Sequence, residues 1–377
     1  MESTGIYWLP LYQILEKRGF EVKLVNARHV KNVPGRKTDV KDSEWLQQLH
    51  SYGLLRGSFR PTDQICVLRS YSRQRENLVR GASAHILRMQ KALTQMNLRL
   101  NNVISDITGT TGTAIIKAII AGEHDPIKLA QLRSDRIKND ITTIAKALEG
   151  DYREEHLFVL RQELESYEYY QGKIKECDEQ ISKCYAALET KVLTDQNNNN
   201  SNSTSGSTSN TSHRNKVRKS VTSGLKHELY KATGVDFTKV PGFDTLSIQK
   251  IIAEVGIDMS KWPTEKHFTS WLGLSPANKI TGEKVFSTRT NKVVNKASTA
   301  FRLVAFSAGK SKTSLGGFFR KIRSIKGAPK AITATARKMA CLFYRLLKYG
   351  QAYVEKGMEY YEQNYKKISN EEFTTKS

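Results

Sequence analysis

Three carboxylates near the start of the chain could hold a divalent cation. Glu2 lies in the run Met-Glu-Ser-Thr-Gly, and Asp39 and Asp42 lie three residues apart after a basic segment. Carboxylate oxygens are ligands that Mg²⁺ prefers, and Mg²⁺ stabilises the charge of a phosphodiester under attack. The chain has 60 basic and 37 acidic residues, a net charge of +23, so a polyanion is its expected ligand. Glu2, Asp39 and Asp42 are therefore candidate catalytic and metal-ligating residues.

A structural role is also open for the two aspartates. Residues three apart share one face of a helix, and carboxylates in a first turn meet free N–H groups and the positive end of the helix dipole. Asp39 and Asp42 fit the start of a helix that runs through Trp45 to Gly53. The two roles are compatible, because an aspartate in a first turn can cap the helix and bind a cation.

The composition narrows the class of protein. At 377 residues the chain is long enough for two or three domains, and its mean hydropathy of −0.51 suits long exposed helices. No run of about eighteen apolar residues and no basic-then-apolar leader is visible, so we expect neither a membrane span nor a signal peptide. The four cysteines lack Cys-x-x-Cys spacing, which argues against a zinc site or a disulfide framework and fits a reducing compartment.

Hydrophobic periodicity predicts an α/β segment followed by mainly α-helical parts. Helix Tyr7–Arg18 precedes a strand at Phe20–Val25, and two long helical arms flank shorter helices between Thr113 and Leu148. Further helices are predicted over Ala297–Ala308 and Ala331–Tyr349. The predicted parts are an α/β domain at 1–65, a coiled-coil or helical domain at 66–190, a disordered Asn/Ser-rich linker at 191–224, a globular domain at 225–355 and a tail at 356–377.

The start of the last domain and the hairpin within it could meet phosphates. Lys239-Val-Pro-Gly, before an apolar helix, is typical of a helix-hairpin-helix turn, whose N–H groups can face a phosphate. A basic hairpin is predicted over Lys279–Asn295. Each cation taken singly is also compatible with a solvated surface charge. The candidate nucleic-acid-binding residues are Lys239, Gly242, Lys279, Lys284, Arg289, Lys292, Lys296 and Arg302.

Several longer blocks resemble the DEDD transposases of the insertion-sequence "one-ten" family. They include Met-Glu-Ser-Thr-Gly-Ile-Tyr-Trp at the start, the block from Val25 to Asp42 that ends Gly-Arg-Lys-Thr-Asp-Val-Lys-Asp, and Ser-Trp-Leu-Gly-Leu-Ser-Pro ending at Pro276. The resemblance runs nearly end to end apart from the Asn/Ser tract. It implies a partial RuvC-like domain of RNase H fold, a helical coiled-coil domain and a helical transposase domain.

The resemblance also implies a function. Members of this family are recombinases that a structured RNA directs to DNA, and they work as dimers or tetramers with Mg²⁺ and a nucleophilic serine. Carried over, Glu2, Asp39 and Asp42 match three of the four acidic residues. The family's first Asp would precede Glu2, so the resemblance implies a shortened first domain, a Glu2 on a frayed terminus and impaired cleavage.

The position of the family's serine falls on Thr281 in this chain. Ser275 and Ser287 are near in sequence but off the matching position. A threonine hydroxyl can attack phosphorus, although its methyl group crowds the approach. Alternatively, Thr281 could simply begin a Thr-Gly turn.

The sequence is compatible with three functions. They are an active recombinase, a non-catalytic or domesticated nucleic-acid-binding remnant, and a helical scaffold that binds RNA through charge alone. The expected partners are DNA, a guide RNA and further copies of the chain. The expected location is the cytoplasm or nucleoid, or the nucleus of a eukaryotic host.

Overall fold

The structure is a computed structural model that describes residues 1–3, 5–26, 42–55, 57–188, 224–277, 279–281, 284–287, 289–290, 293 and 295–350. For residues 42, 279, 280, 284 and 285 it describes the backbone alone. The chain separates into two compact units, with the division between Thr62 and Asp63. The finer division into five parts stays a prediction, and the predicted Asn/Ser linker and tail lie outside the described residues, apart from Gly224.

The first unit is built around one buried valine. Val25 is fully buried and pairs in parallel with Glu2 and antiparallel with Gly57. The strand predicted over Phe20–Val25 is therefore shorter than expected: only Val25 makes bridge pairs within it. A strand needs successive residues that pair with a neighbouring strand, and here the partners reach only the end of the segment.

Two helices accompany this bridge. Helix α1 spans Trp8–Lys17, close to the predicted Tyr7–Arg18, and ends before Gly19, whose φ is +82°. Helix α2 spans Asp42–Ser51 and packs Leu49 against Val25. Asp39 lies outside the described residues, so its predicted place at a helix start is untested.

Two 33-residue helices dominate the second unit. Helix α3 spans Asp63–Gln95 and helix α8 spans Glu154–Ala186, each roughly 50 Å long. They run antiparallel, because Arg75 pairs with Asp178, whereas His85, later on α3, lies 2.5 Å from a carboxylate oxygen of Glu163, earlier on α8. The two predicted arms are therefore confirmed as an antiparallel helix pair.

Four short helices close the far end of this pair. Leu93, Ile116, Ile144 and Leu160 belong to one buried cluster that joins them to the arms. Aspartate side chains cap the last two, since Asp125 and Asp140 accept hydrogen bonds from N–H groups of the first turn. The four are α4 Leu100–Val103, α5 Thr110–Ile120, α6 Pro126–Gln131 and α7 Ile141–Ala147.

The last part of the chain packs helices around aromatic side chains. Residues 224–233 are helical, and a short 3-10 helix follows at Phe237–Lys239. Phe268, Phe301 and Phe343 are fully buried and contact one another ring to ring. The remaining elements are α9 Thr245–Val255, α10 Glu265–Trp271, strands β1 Lys279–Thr281 and β2 Lys284–Ser287, α11 Lys296–Ala308, α12 Ser314–Lys326 and α13 Ala328–Tyr349.

The helices predicted over Ala297–Ala308 and Ala331–Tyr349 are confirmed with extended starts, but helix α12 was not predicted. Its first turn contains Gly316 and Gly317, which have low helix propensity. The structure explains Gly316, because a Cβ there would lie 2.1 Å from the carbonyl oxygen of Ser311. Packing rather than propensity therefore places this helix. Among the described helices, none combines the length and the apolar character needed to cross a bilayer.

A buried carboxylate joins the arm helix to the aromatic part. The Glu254 side chain, on α9, is only 10 % exposed and accepts two hydrogen bonds of 2.8 Å from the Arg73 guanidinium, on α3. Arg69 donates to the backbone oxygens of Ala253 and Glu254 at the end of α9. These bonds satisfy carbonyls that a helix C-terminus leaves without intrahelical partners.

A second contact joins the arms to the residues after the Asn/Ser tract. Ser182 on α8 donates a hydrogen bond to Glu228 in the helical residues 224–233. The chain therefore leaves α8 and returns to nearly the same place. This contact brings together two points that residues 189–223 separate in sequence.

We predict that Arg73→Ala lowers the free energy of unfolding by about 2 kcal/mol, because it leaves the buried Glu254 carboxylate with less compensation. Arg345→Ala is the matched control, since Arg345 makes a similar two-bonded pair with Glu265 at the surface. We expect the control to cost less than about 1 kcal/mol. Urea unfolding of both full-length variants measures the difference, and equal losses would contradict the assigned role of Glu254.

Candidate nucleic-acid interface and nucleophile

A short β-hairpin carries Thr281. Strands β1 and β2 pair antiparallel, and Thr281 pairs with Lys284 as the last pair before Gly282 and Glu283 join the strands in the sequence. Thr281 is exposed. The hairpin predicted over Lys279–Asn295 is thus confirmed for Lys279–Ser287, and the hydroxyl-bearing residue lies near its tip.

The base of this hairpin is held by hydrogen bonds. Pro276 and Thr290 form an antiparallel bridge, and the Ala277 N–H donates to the Arg289 carbonyl over 3.1 Å. After the hairpin, the Asn295 side chain caps α11 by accepting from the N–H of Ala297 over 2.9 Å. The hairpin connects α10 and α11, whose residues Phe268 and Phe301 contact each other, so both ends of the hairpin are attached to the packed aromatic core.

The hydroxyl groups of the two alternative residues, Ser275 and Ser287, make hydrogen bonds within and beside the hairpin. The Ser275 hydroxyl lies 2.9 Å from the hydroxyl of Thr269, which is fully buried. The Ser287 hydroxyl accepts from the Arg289 N–H over 3.3 Å. Thr281 is exposed to solvent, whereas Ser275 and Ser287 are partly buried.

Glu2 is held by backbone pairing. The Val25 N–H donates to the Met1 carbonyl and the Ser3 N–H donates to the Val25 carbonyl, both over 2.8 Å. The expectation that Glu2 sits on a frayed terminus is therefore wrong. Pairing with the buried Val25 orders both neighbours of Glu2, and the Met1 ammonium adds a hydrogen bond to the Lys23 carbonyl.

The predicted metal ligands are only partly described. Asp42 is the first residue of α2, in the first turn as the sequence indicated, but Asp39 lies outside the described residues. In the described part of the chain, no three His, Cys, Asp or Glu residues lie close enough to hold a metal ion together. The joint role of Glu2, Asp39 and Asp42 stays a prediction.

Gly242 makes a close packing contact. Its φ is +99°, and a Cβ there would lie 2.7 Å from both the Ala308 Cβ and the Val304 carbonyl oxygen of α11. The start of α9 is capped by Asp244, whose carboxylate accepts from the Ser247 N–H over 2.6 Å. Packing alone therefore accounts for the glycine, and a carboxylate already occupies the adjacent helix start. A phosphate contact at Gly242 stays a prediction.

The candidate cations differ in their surroundings. Lys296 lies 2.7 Å from the Glu76 carboxylate on α3, and this hydrogen bond lowers the pKa of Glu76. Arg302 donates to the Ser298 hydroxyl one turn earlier. Arg289 is exposed beside the hairpin. Lys239 is exposed, Lys279 and Lys284 are described by backbone alone, and Lys292 lies outside the described residues.

Sequence reasoning missed residues that hold or extend this region. Glu254 interrupts the apolar run Ile-Ile-Ala-Glu-Val, and a charge in such a run signals a buried partner. Arg69 and Arg73, four residues apart, share a helix face and supply it. Phe286 follows Val285 in a strand, and two adjacent apolar residues break the period of two expected for a regular strand.

We predict that Gly242→Ala destabilises the protein by about 2–4 kcal/mol, because strain at positive φ adds to a clash with α11. Gly350→Ala is the matched control: its φ is +82°, and nothing lies within 4 Å of the added Cβ. We expect about 1 kcal/mol for the control, measured by denaturant unfolding. Equal effects would show that the close approach to α11 does not constrain Gly242.

We predict that Arg289→Gln makes the binding of duplex DNA less dependent on salt. The negative slope of log affinity against log salt should become shallower by about 0.9, the value for one lost phosphate contact. Lys296→Gln should leave the slope nearly unchanged, because Glu76 already matches the Lys296 charge. Salt titrations of both variants measure the slopes. A loss of similar size in Lys296→Gln would show that Lys296 leaves Glu76 to contact DNA.

Comparison with known proteins gives two family matches. Residues 1–98 match the family model of DEDD transposases of the IS110 type, described as a transposase. Residues 235–313 match a model described as the transposase IS116/IS110/IS902 family. A search of the curated proteins gives no match. The first match contains Glu2, Asp39 and Asp42, and the second contains the hairpin with Thr281. The chain therefore belongs to the IS110 family of transposases.

Proposed function

We propose that this transposase cuts and rejoins DNA strands, with the Thr281 hydroxyl as nucleophile and Mg²⁺ held by Glu2, Asp39 and Asp42. The observation that carries the proposal is the exposed Thr281 near the tip of a hairpin with a packed base. This hairpin lies inside a segment that matches a transposase family. A nucleophile must reach its phosphorus atom while its own backbone is held still, and both conditions suit this placement.

The reaction is an exchange of phosphodiester bonds. The Thr281 Oγ1 loses its proton as it forms a bond to phosphorus, and the DNA oxygen that leaves takes up a proton. The hydroxyl of another strand then attacks the same phosphorus and loses its proton, which restores a DNA phosphodiester. The departing Thr281 Oγ1 takes up a proton. Bond energy is conserved in the covalent adduct, so this exchange needs no nucleotide cofactor.

The threonine should slow the reaction relative to a serine. A β-branched side chain has restricted χ1 rotation, and its methyl group crowds the approach to a tetrahedral phosphorus. We therefore expect weak cleavage. A protein that binds nucleic acid without cutting it is the second candidate, and Thr281 in place of serine favours it.

The oxygen atoms of the three predicted ligands are of the type that Mg²⁺ prefers. Glu2, Asp39 and Asp42 offer carboxylate oxygens alone, and hard cations such as Mg²⁺ prefer oxygen ligands. Backbone pairing with Val25 holds Glu2, and α2 begins at Asp42, so both residues lie on ordered backbone. When bound, Mg²⁺ would supply Lewis-acid stabilisation of the phosphate oxygens.

The proposed partners are DNA, a guide RNA and further copies of the chain. The net charge of +23 suits a guide RNA as well as DNA. The antiparallel pair of α3 and α8 offers a long surface on which copies of the chain could associate through a coiled coil. We place the protein with its DNA, in the cytoplasm or nucleoid, or in the nucleus of a eukaryotic host.

We predict that the full chain, incubated with the DNA ends of its element, the adjacent non-coding RNA and Mg²⁺, forms a covalent adduct with DNA that resists denaturing detergent. Thr281→Ser should increase the rate of adduct formation by removing the methyl group. Thr281→Ala should abolish the adduct, because no oxygen remains to attack. Gel electrophoresis of labelled DNA measures all three.

Thr299→Ala provides the matched control, since Thr299 is exposed on α11, away from the hairpin tip. It should form adduct at the rate of the unaltered chain. Adduct formation by Thr281→Ala would show that another residue is the nucleophile. DNA binding without any adduct, even in Thr281→Ser, would favour the binding remnant over the recombinase.

A further inference from the structure

An aromatic side chain projects into solvent from the hairpin that carries Thr281. Phe286 on β2 is 83 % exposed, whereas nearby Phe268 and Phe301 are fully buried. Single exposed apolar residues are common and need no explanation by themselves. The backbone around Phe286 distinguishes it from them.

The pairing of the two strands shifts at this point. Ile280 pairs with Val285, but Lys279 pairs with Ser287, so Phe286 has no cross-strand partner. An extra residue of this kind is a β-bulge, which bends the strand and changes the direction of a side chain; bulges are frequent next to active sites. The hairpin therefore presents Phe286 instead of packing it on a neighbour.

The charge around the hairpin favours a nucleic acid as the ligand of this ring. Arg289 is exposed three residues farther along, and the chain carries a net charge of +23. Exposed aromatic rings beside cations are the usual platform for unpaired bases, because every base offers a flat face for stacking. A partner protein would more often require a contiguous apolar patch.

We propose that Phe286 stacks on an unpaired DNA base close to the phosphate that Thr281 attacks. Lys284, the partner of Thr281, and Phe286 are two residues apart, or about 7 Å along a strand. Over so short a distance, the stacked base belongs to a nucleotide near the attacked phosphate. The position relative to the cleaved bond rests on the proposed function, whereas the stacking itself does not.

Stacking of this kind would hold a strand open beside the hairpin. It would act on any base, so it adds affinity for unpaired DNA without adding sequence preference. Fully paired duplex hides its bases from the ring. The proposal therefore distinguishes Phe286 from the cations, which meet phosphates in both forms of DNA.

The test measures binding of full-length variants to short DNA strands that carry a fluorescent adenine analogue. Phe286→Ala should weaken binding to single-stranded DNA roughly 5- to 150-fold and remove the fluorescence change that stacking causes. Phe286→Trp should retain both. Binding to fully paired duplex should stay within about twofold. Phe158→Ala is the matched control, since Phe158 is 56 % exposed on arm helix α8.

Several outcomes would overturn the proposal. Equal single-strand binding by Phe286→Ala and Phe158→Ala would show that Phe286 does not stack, and so would equal losses on duplex and single strands. A Phe286-dependent signal with RNA but not with DNA would show that the occupant is RNA. Far-UV circular dichroism confirms that each variant is folded.

Comparison with the adduct assay separates this proposal from the proposed function. If Thr281→Ala abolishes the adduct while Phe286→Ala binds like the unaltered chain, the nucleophile stands and the stacking is wrong. If no variant forms an adduct but the fluorescence change depends on Phe286, the base-binding residue stands and the cleavage is wrong. Placing the analogue at successive positions from the cut locates the stacked base, which should lie next to the cut and not farther along the strand.

Discussion

A buried carboxylate on α9 sets the arrangement of the second unit. Glu254 lies in an otherwise apolar helix, and an ionised group in such a place costs several kcal/mol unless charged partners meet it. The partners come from α3. Arg73 donates two hydrogen bonds to the carboxylate, and Arg69 donates to the backbone oxygen of Glu254 at the end of α9. The planar guanidinium allows few orientations of such a pair, so α3 can cross α9 in only a narrow range of ways.

This constraint extends to the hairpin. One turn after Arg73, Glu76 of the same helix pairs with Lys296, the first residue of α11. The hairpin therefore lies between α10, fixed through the aromatic core, and a helix whose first residue is tied to the arm. Buried aromatic rings and paired charges hold the hairpin in place. Different residues, Thr281, Phe286 and Arg289, are exposed and available for chemistry. A site of this construction can meet DNA without disturbing the core.

Much of this arrangement could be predicted from the sequence, and the failures have physical causes. The two arms were predictable because long runs with a helical period leave little choice of structure, and the hairpin because a basic, Thr-rich segment sits between two apolar helices. Helix α12 was missed because two glycines hide its start, and only the close approach of Ser311 shows why Gly316 is there. The pairing of Glu2 was missed because its partner is Val25, and local sequence carries no information about a distant bridge.

The hydrogen bond between Ser182 and Glu228 also explains how the fold tolerates the Asn/Ser-rich tract. The two ends of the intervening chain are already held together by folded residues. For a linker of the composition predicted here, the entropy of closing such a loop grows only with the logarithm of its length, about 0.6 kcal/mol for each doubling. Expansion or contraction of the tract is therefore nearly neutral for folding. The tract can therefore lose or gain residues while the helices on either side keep their positions.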